Sequence, residues 1–286
     1  MKKRIIIVAA LLGSVTLQAQ GDQFRHEVNA FFGVGTSSFG YDLTSGRSST
    51  LSGGNFGVGY TYFLSEYFGV GTGLELASYN SKLKKASFNN AIFGLTDESD
   101  GEMYDFHSEI TNYNEKQSAR LLQIPLLLKY QGEGKHRFYA AAGGRVGIPI
   151  DNTYKSTANI NNKGYFRGAE NEAKTQRFMG FGQYDNYSSK GELSLKTVCI
   201  ASLETGVKWM LSNKISLYTG VYFDYGLNDI IDEDRMQSVV DHIAPGDFNI
   251  RSLSSSSTTY GTASTPFTEK VVPYAIGIKF SLAFSN

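Results

Sequence analysis

The chain has 286 residues, of which 41% are hydrophobic and 13% are aromatic, and its 27 basic residues balance 27 acidic ones. This balance excludes the basic surface that nucleic-acid binding requires. The single cysteine, Cys199, excludes an internal disulfide framework. The 31 glycines, 18 tyrosines and 19 phenylalanines are typical of strands that twist, close and place aromatic rings at membrane interfaces.

Residues 1–19 have the pattern of a secretory signal peptide. Lys2, Lys3 and Arg4 precede an apolar run at residues 5–17, and Ala19 is a small residue at the expected cleavage point. The apolar run is too short to cross a bilayer as a helix, which needs about 20 residues. We therefore predict that residues 20–286 form one mature domain, which retains 24 basic and 27 acidic residues.

Eight segments alternate between apolar residues and small or polar residues, which is the period of a strand with two unlike faces. We predict strands at residues 25–35, 55–64, 67–79, 119–131, 137–150, 192–211, 215–227 and 271–284. The last segment is the clearest. Its apolar row consists of Tyr274, Ile276, Ile278, Phe280, Leu282 and Phe284.

The connections between these segments alternate strictly between long and short. The long ones are polar and cover residues 36–53, 80–118, 151–190 and 228–268. Outer-membrane barrels have short periplasmic turns, longer external loops and an even number of strands. The pattern predicts an all-β fold, an eight-stranded antiparallel up-and-down transmembrane β-barrel. We expect it in the outer membrane of a Gram-negative bacterium, with four long external loops and both termini in the periplasm.

Three segments resemble signatures of the PorT-type outer-membrane β-barrel family of Bacteroidetes-like bacteria. They are LQIPLLLKY at residues 122–130, AGGRVG at residues 142–147 and YGLNDI at residues 225–230. The resemblance implies an eight-stranded outer-membrane barrel and, for most members, no defined activity, although one branch serves protein secretion and gliding. The last strand, from Tyr274 to Phe284, also resembles the C-terminal signal of such barrels, which implies recognition by the barrel-assembly machinery.

The inward face carries charged residues at alternating positions. An eight-stranded barrel has a lumen that side chains can fill, and buried charges must be paired because their desolvation is costly. We therefore predict a structural charge network in the lumen. Its members are Glu27, Glu75, Lys129, Arg145, Lys196, Glu204, Lys208, Asp224 and Lys279. The alternative is a narrow channel or a ligand cavity, because the many inward glycines leave space.

An enzyme is a further alternative, because small outer-membrane barrels can carry a site built from Ser, His and an acid near one rim. His107 lies near Asp105 and Glu109, and His242 lies next to Asp241. However, no strand has His and Ser at the spacing that such a site needs, and no phosphate-loop or metal-ligand spacing is present. The sequence therefore predicts no catalytic site, no metal and no cofactor.

The external segments offer the remaining hypothesis, a structural or external binding role. Two acidic clusters could hold a divalent cation or contact lipopolysaccharide through one. They consist of Asp97, Glu98, Asp100 and Glu102, and of Asp229, Asp232, Glu233 and Asp234. We expect a monomer whose partners are outer-membrane lipids and lipopolysaccharide.

Overall fold

A computed structural model describes residues 26–43, 46–97, 101–166, 173–174, 179–232, 237–243, 247–260 and 263–285. The predicted signal peptide, residues 1–19, lies outside the described residues. Eight long strands form the barrel wall: β1 (His26–Leu43), β2 (Ser52–Phe63), β3 (Phe68–Thr96), β4 (Met103–Gln131), β5 (His136–Phe166), β6 (Val198–Met210), β7 (Ile215–Gly226) and β8 (Thr268–Ser285).

The eight strands form a closed antiparallel ring. Each strand pairs with its neighbours in the chain. The ring closes where β8 pairs with β1, for example at Phe32 opposite Phe280. Residues 64–67, 132–135 and 211–214 are short turns at one end. This topology confirms the predicted eight-stranded up-and-down barrel. In the described part of the chain, no helix is long and apolar enough to span a membrane.

Shorter elements lie at the other end of the barrel. Three of them extend the wall, because Arg47–Thr50 pairs with β3, and Ala173–Lys174 and Gly182–Glu192 pair with β5. The remaining elements are Gln237–Ser238, Val240–Ile243, Asp247–Ile250, Ser256–Tyr260, Ala263–Pro266 and the 3₁₀ turn Leu253–Ser255.

A band of apolar side chains covers the outer face near the short turns. Leu126 is 64% exposed and Leu128 is 68% exposed, whereas Leu127 between them is 6% exposed. The predicted alternation of β4 is therefore confirmed. Apolar residues facing outward on successive strands are the pattern of a wall in contact with lipid. We call this surface the membrane band; its far edge lies near Leu76 on β3 and Leu122 on β4.

Pro125 lies within β4, although proline disfavours central strand positions because it has no N–H to donate. The ladder between β3 and β4 runs to Thr72 opposite Leu126 and resumes at Glu75 opposite Gln123. The proline thus falls in a two-residue gap, and the register of the ladder is the same on both sides of this gap.

Three of the expected external loops prove to be largely strand. Within residues 36–53, β1 continues to Leu43, Arg47–Thr50 is a strand and β2 begins at Ser52. Residues 80–118 were predicted as loop, but β3 continues to Thr96 and β4 begins at Met103. Likewise, β5 continues to Phe166 through the predicted loop at residues 151–190. A membrane-spanning strand needs about 9–11 residues, so the 29 residues of β3 and of β4 reach well beyond the bilayer. We call this part the extramembrane cylinder.

The polarity of the wall reverses in the extramembrane cylinder. On β4 the outward residues beyond the membrane band are Arg120, Ser118 and Lys116, while Leu121 and Ala119 face inward and are fully buried. The inward side chains pack with the Asp247–Ile250 and Leu253–Ser255 segments into an apolar core. Its buried members are Leu83, Phe88, Tyr104, Phe106, Ile110, Tyr113, Ala158, Ile160, Phe166, Phe181, Val239, Val240, Phe248, Ile250, Leu253 and Phe267. The cylinder therefore has an apolar interior and a polar exterior, as a water-soluble protein has.

Candidate functional site

Arg145 on β5 lies at the centre of a buried charge network in the lumen, at the level of the membrane band. Its Nη1 lies 2.5 Å from Glu75 Oε2, its Nη2 lies 2.7 Å from Glu204 Oε1, and its Nε lies 3.5 Å from Asp224 Oδ1. The Nε also donates to Ser202 Oγ at 3.0 Å, and that hydroxyl donates to Asp224 at 2.5 Å. All five side chains are buried. One guanidinium therefore joins carboxylates from β3, β6 and β7 across the barrel.

Two lysines extend this network toward the short turns. Lys279 Nζ donates to Glu204 Oε1 at 2.6 Å and lies 4.0 Å from the centre of the Phe31 ring. Lys208 Nζ donates to Glu27 Oε2 at 2.7 Å, which forms a second buried ion pair. Because each pair is buried on both sides, its attraction is screened little by salt.

Lys129 is placed differently from the other cations. Its Nζ donates to Thr61 Oγ1 at 2.8 Å and lies 5.6 Å from the centre of the Tyr218 ring. No carboxylate of the described residues forms an ion pair with it, and Tyr218 donates instead to Glu27. The described lumen thus brings together four carboxylates and four cations, which gives a formal charge of zero.

Lys196 does not belong to this network, so its predicted lumen position is wrong. Its side chain is exposed, and β6 begins only at Val198. The preceding residues leave the barrel wall: Leu195 forms an isolated bridge with Ile231, and the Lys196 N–H donates to the Ile230 carbonyl. The alternation continues through this stretch in sequence, which is why the pattern extended the strand too far.

Neutral polar residues complete the hydrogen bonding of the charges. Asn55 Nδ2 donates to Glu75 Oε1 at 2.6 Å, and Gln123 Oε1 accepts from Arg145 Nη1 at 3.5 Å. Gln123 Nε2 donates in turn to the Tyr79 hydroxyl at 3.0 Å. The sequence prediction considered only charged residues and missed these side chains, although their inward parity was readable from the alternation.

Aromatic rings occupy the space that the inward glycines leave. A Cβ atom on Gly277 would lie 2.9 Å from the Tyr222 ring, and one on Gly57 would lie 2.9 Å from the Phe31 ring. A cavity of about 40 Å³ remains, and its lining includes Arg145, Lys129 and Tyr218. It has room for about three water molecules, at roughly 10–15 Å³ each. The described lumen is therefore packed at this level.

A second polar cluster closes the barrel above the membrane band. Glu115 on β4 is fully buried and accepts hydrogen bonds from Gln117 Nε2 at 2.5 Å, Ser252 Oγ at 2.5 Å, the Leu253 N–H at 3.0 Å and the Tyr113 hydroxyl. Burial raises the pKa of the Glu115 carboxyl above its usual range, although these hydrogen bonds act in the opposite direction. The carboxyl thus holds the 3₁₀ turn Leu253–Ser255 against the wall.

Other wall residues bind the same inserted segment through its backbone. The Tyr154 hydroxyl donates to the Ile250 carbonyl at 3.1 Å, and Ser189 Oγ donates to it at 2.7 Å. The Tyr187 hydroxyl donates to the Phe248 carbonyl at 2.5 Å. We call residues 247–256 the plug. It is held on several sides by side chains of β4, β5 and the Gly182–Glu192 strand.

The two histidines considered for catalysis contact aromatic rings. His107 packs against Phe93 and Tyr165, with ring centres 5.7 and 4.7 Å apart, and His242 packs against Phe106 at 4.7 Å. Burial lowers the pKa of both imidazoles. Neither ring forms a hydrogen bond with a serine among the described residues.

The acidic clusters of the sequence are only partly visible. Glu98, Asp100, Glu233 and Asp234 lie outside the described residues. Within the described ranges, no group of three or more His, Cys, Asp or Glu residues could hold a metal ion.

A closed antiparallel ring of eight strands, with an apolar outer band and a polar lumen, defines a transmembrane β-barrel. The sequence supports the same class. A family model described as outer membrane protein beta-barrel domain matches residues 18–232, which is most of the chain. The chain belongs to this family, and it is an outer-membrane β-barrel protein.

Solved structures with a similar fold are outer-membrane proteins of low sequence identity. OprG of Pseudomonas aeruginosa is 14% identical, with 94% of this chain and 100% of OprG covered and a TM-score of 0.38. Neisserial surface protein A is 7% identical, with 91% and 97% covered and a TM-score of 0.34. AlkL in lipid bilayers is 12% identical, with 96% of each chain covered and a TM-score of 0.35. A search of curated protein sequences found no match.

Proposed function

We propose that this protein is a closed outer-membrane barrel with a structural and external binding role, and that it conducts no steady ion current along its axis. The observation that carries the proposal is the filling of the barrel at two levels. Within the membrane band, Arg145 forms ion pairs with Glu75, Glu204 and Asp224 across the lumen. Above the band, the plug is bound to Glu115. An ion would have to displace both groups.

The orientation of the barrel is part of the proposal. The short turns and both termini face the periplasm, and the extramembrane cylinder faces outward, as is usual for bacterial outer-membrane barrels. The charged and amide side chains on the outside of the cylinder, such as Lys116 and Arg120, support contact with lipopolysaccharide and other surface molecules. The barrel-assembly machinery recognises the last strand, β8, and the protein is a monomer.

Planar bilayer recording tests the closed barrel. The purified full chain should give little or no steady conductance. A variant that loosens the plug, Glu115→Ala combined with Ser252→Ala, should still conduct little, because the Arg145 group remains in the membrane band. A large and stable conductance of the unaltered protein would contradict the proposal and favour the narrow-channel alternative.

The proposal includes the absence of enzymatic activity. It is supported by the aromatic surroundings of His107 and His242, which give neither imidazole a serine to activate among the described residues. Lipid hydrolysis or acyl transfer by the purified protein, lost on His107→Ala or His242→Ala, would contradict it. Nothing in the described lumen or plug favours the secretion-associated branch of the PorT-type family over other members.

A further inference from the structure

Four lysines form a row across the outer wall of the extramembrane cylinder. Lys82 on β3 lies opposite Lys116 on β4, Lys116 lies opposite Lys155 on β5, and Lys155 lies opposite Lys190 on the Gly182–Glu192 strand. All four lysines occupy outward-facing positions of their strands, and Lys116, Lys155 and Lys190 are exposed. At about 4.8 Å between strands, the row is about 14 Å wide.

This arrangement is unfavourable in the isolated protein, because like charges directly opposite each other destabilise a sheet. Among the described residues, no carboxylate forms an ion pair with any of the four lysines. The row therefore concentrates positive charge that no ion pair within the described chain neutralises.

The adjacent rows of residues are polar and add little negative charge. One step nearer the membrane lie Asn80, Ser118, Thr153 and Glu192, which pair in that order. One step farther lie Lys84, Asn114, Thr157 and Ser188, with Arg47 opposite Lys84. These three rows together hold six basic residues and one acidic residue, Glu192.

A surface depression of about 470 Å³ lies between the row and the membrane band. Its lining includes Lys116 and Lys155 together with the polar side chains of Asn80, Ser118 and Thr153. Ammonium groups bind phosphate as point charges, and hydroxyl and amide groups supply further hydrogen bonds to its oxygens. The depression thus offers donors suited to a phosphate group.

The height of the row decides which membrane phosphate it can reach. Lys116 is six residues beyond Leu122 at the edge of the membrane band. At about 3.4 Å per residue and a tilt of about 40°, Lys116 lies about 15 Å above the hydrocarbon. The polar region of a simple bilayer is only about 5–7 Å thick on each side. Phosphates on an extended saccharide headgroup match this height better than phospholipid phosphates do.

We propose that the lysine row, Lys82, Lys116, Lys155 and Lys190, binds phosphate groups on the saccharide headgroup of a glycolipid in the outer leaflet, of the lipopolysaccharide type. The inference rests on the proposed orientation, in which the extramembrane cylinder faces outward. Bound phosphates neutralise the repulsion along the row, so the glycolipid stabilises the wall at this level.

The test measures binding of lipopolysaccharide with a phosphorylated core to the purified full chain in an uncharged detergent. The row variant is Lys82→Gln/Lys116→Gln/Lys155→Gln. The matched control, Lys135→Gln/Lys196→Gln/Lys214→Gln, removes the same charge from exposed positions elsewhere. A lysine near an anionic membrane surface contributes about fivefold in affinity, so the row variant should bind about a hundredfold more weakly. The control should stay within about twofold.

Thermal unfolding in the same detergent gives a second readout. Without lipid, the row variant should have a higher Tm than the unaltered protein, because like-charge repulsion is removed. Lipopolysaccharide should raise the Tm of the unaltered protein and of the control, but not that of the row variant. This readout also shows that the variant is folded.

Three outcomes would overturn the inference: equal losses of binding in the row variant and the control, no loss in the row variant, or equal binding of dephosphorylated lipopolysaccharide. Equally tight binding of phosphatidylglycerol vesicles would assign the row to any anionic membrane surface and would also overturn it. These outcomes are separable from the proposed function, because a steady current through the unaltered protein would refute the closed barrel and leave the binding results intact.

Discussion

The buried Arg145 group allows a sharp test of the lumen. We expect Arg145→Met to lower the free energy of unfolding by about 3–5 kcal/mol, the usual cost of removing one partner from a buried ion pair. The structure supports the upper part of this range, because Arg145 lies within 3.5 Å of carboxylate oxygens of Glu75, Glu204 and Asp224. Lys279 would still neutralise Glu204, but Glu75 and Asp224 would keep only neutral hydrogen-bond partners.

Urea unfolding in lipid vesicles measures this effect, with the fluorescence of Trp209, the single tryptophan, as the signal. Lys196→Met is the matched control, because Lys196 is exposed outside the lumen, and it should change the unfolding free energy by less than about 0.5 kcal/mol. Adding Glu75→Gln to Arg145→Met should recover part of the loss, since one buried carboxylate is then removed. A loss below about 1 kcal/mol for Arg145→Met, or equal losses for both single variants, would refute the reasoning.

Three further predictions follow from the wall and the plug. Leu126→Arg should lower the free energy of unfolding in lipid vesicles by about 2–4 kcal/mol, because Leu126 faces lipid. Leu127 faces the lumen, so the stability that Leu127→Arg loses should be partly restored when a lumen cation is also removed. If removing that cation had the same effect on both variants, the assigned register of β4 would be wrong. The pKa of the Glu115 carboxyl is higher in the folded protein than in the unfolded chain, where it is about 4.3. The resulting stabilisation is fully present below pH of about 4.3, and it is lost as the pH rises through the pKa of the folded state. Exchange protection of the plug, corrected for intrinsic rates, should therefore fall with rising pH, and Glu115→Gln should abolish this trend; a rise in protection would contradict it. Protease added to intact cells should cut within residues 97–102 and spare the 211–214 turn, and cleavage confined to that turn would invert the proposed orientation.

The sequence was sufficient to predict the part of the fold that lies in lipid. There the two faces of each strand differ strongly in polarity, as at Leu126 and Leu128 on the outer face and Lys129 on the inner face, so the period of two is easy to detect. The extramembrane cylinder was missed because this contrast is weak. Glu115 and Gln117 face inward, while Lys116 and Ser118 face outward, so both faces read as polar and the stretch resembles a loop.

The members of the lumen network could be predicted from parity, but their partners could not. Parity places Arg145, Glu75 and Glu204 on the inner face, yet only the register between strands and the width of the lumen decide which atoms meet. Lys196 failed for a related reason, because nothing in the alternation marks the point where the chain leaves the wall. The plug depends on contacts between residues that are far apart in the chain, such as Tyr187 with Phe248 at 61 positions and Glu115 with Ser252 at 137 positions, and local patterns carry no signal for these.

The reversal of polarity along the strands separates two sources of stability. In the membrane band the apolar residues face lipid, so the lumen contributes little apolar burial and can hold the charged Arg145 group. The ion pairs of Arg145 fix the positions of β3, β5, β6 and β7 relative to one another. In the extramembrane cylinder the apolar residues face inward, and burial around the plug supplies the stability instead. Because the outer wall of the cylinder is thereby released from packing, it can carry an unfavourable row of lysines, which a packed or lipid-facing surface could not tolerate.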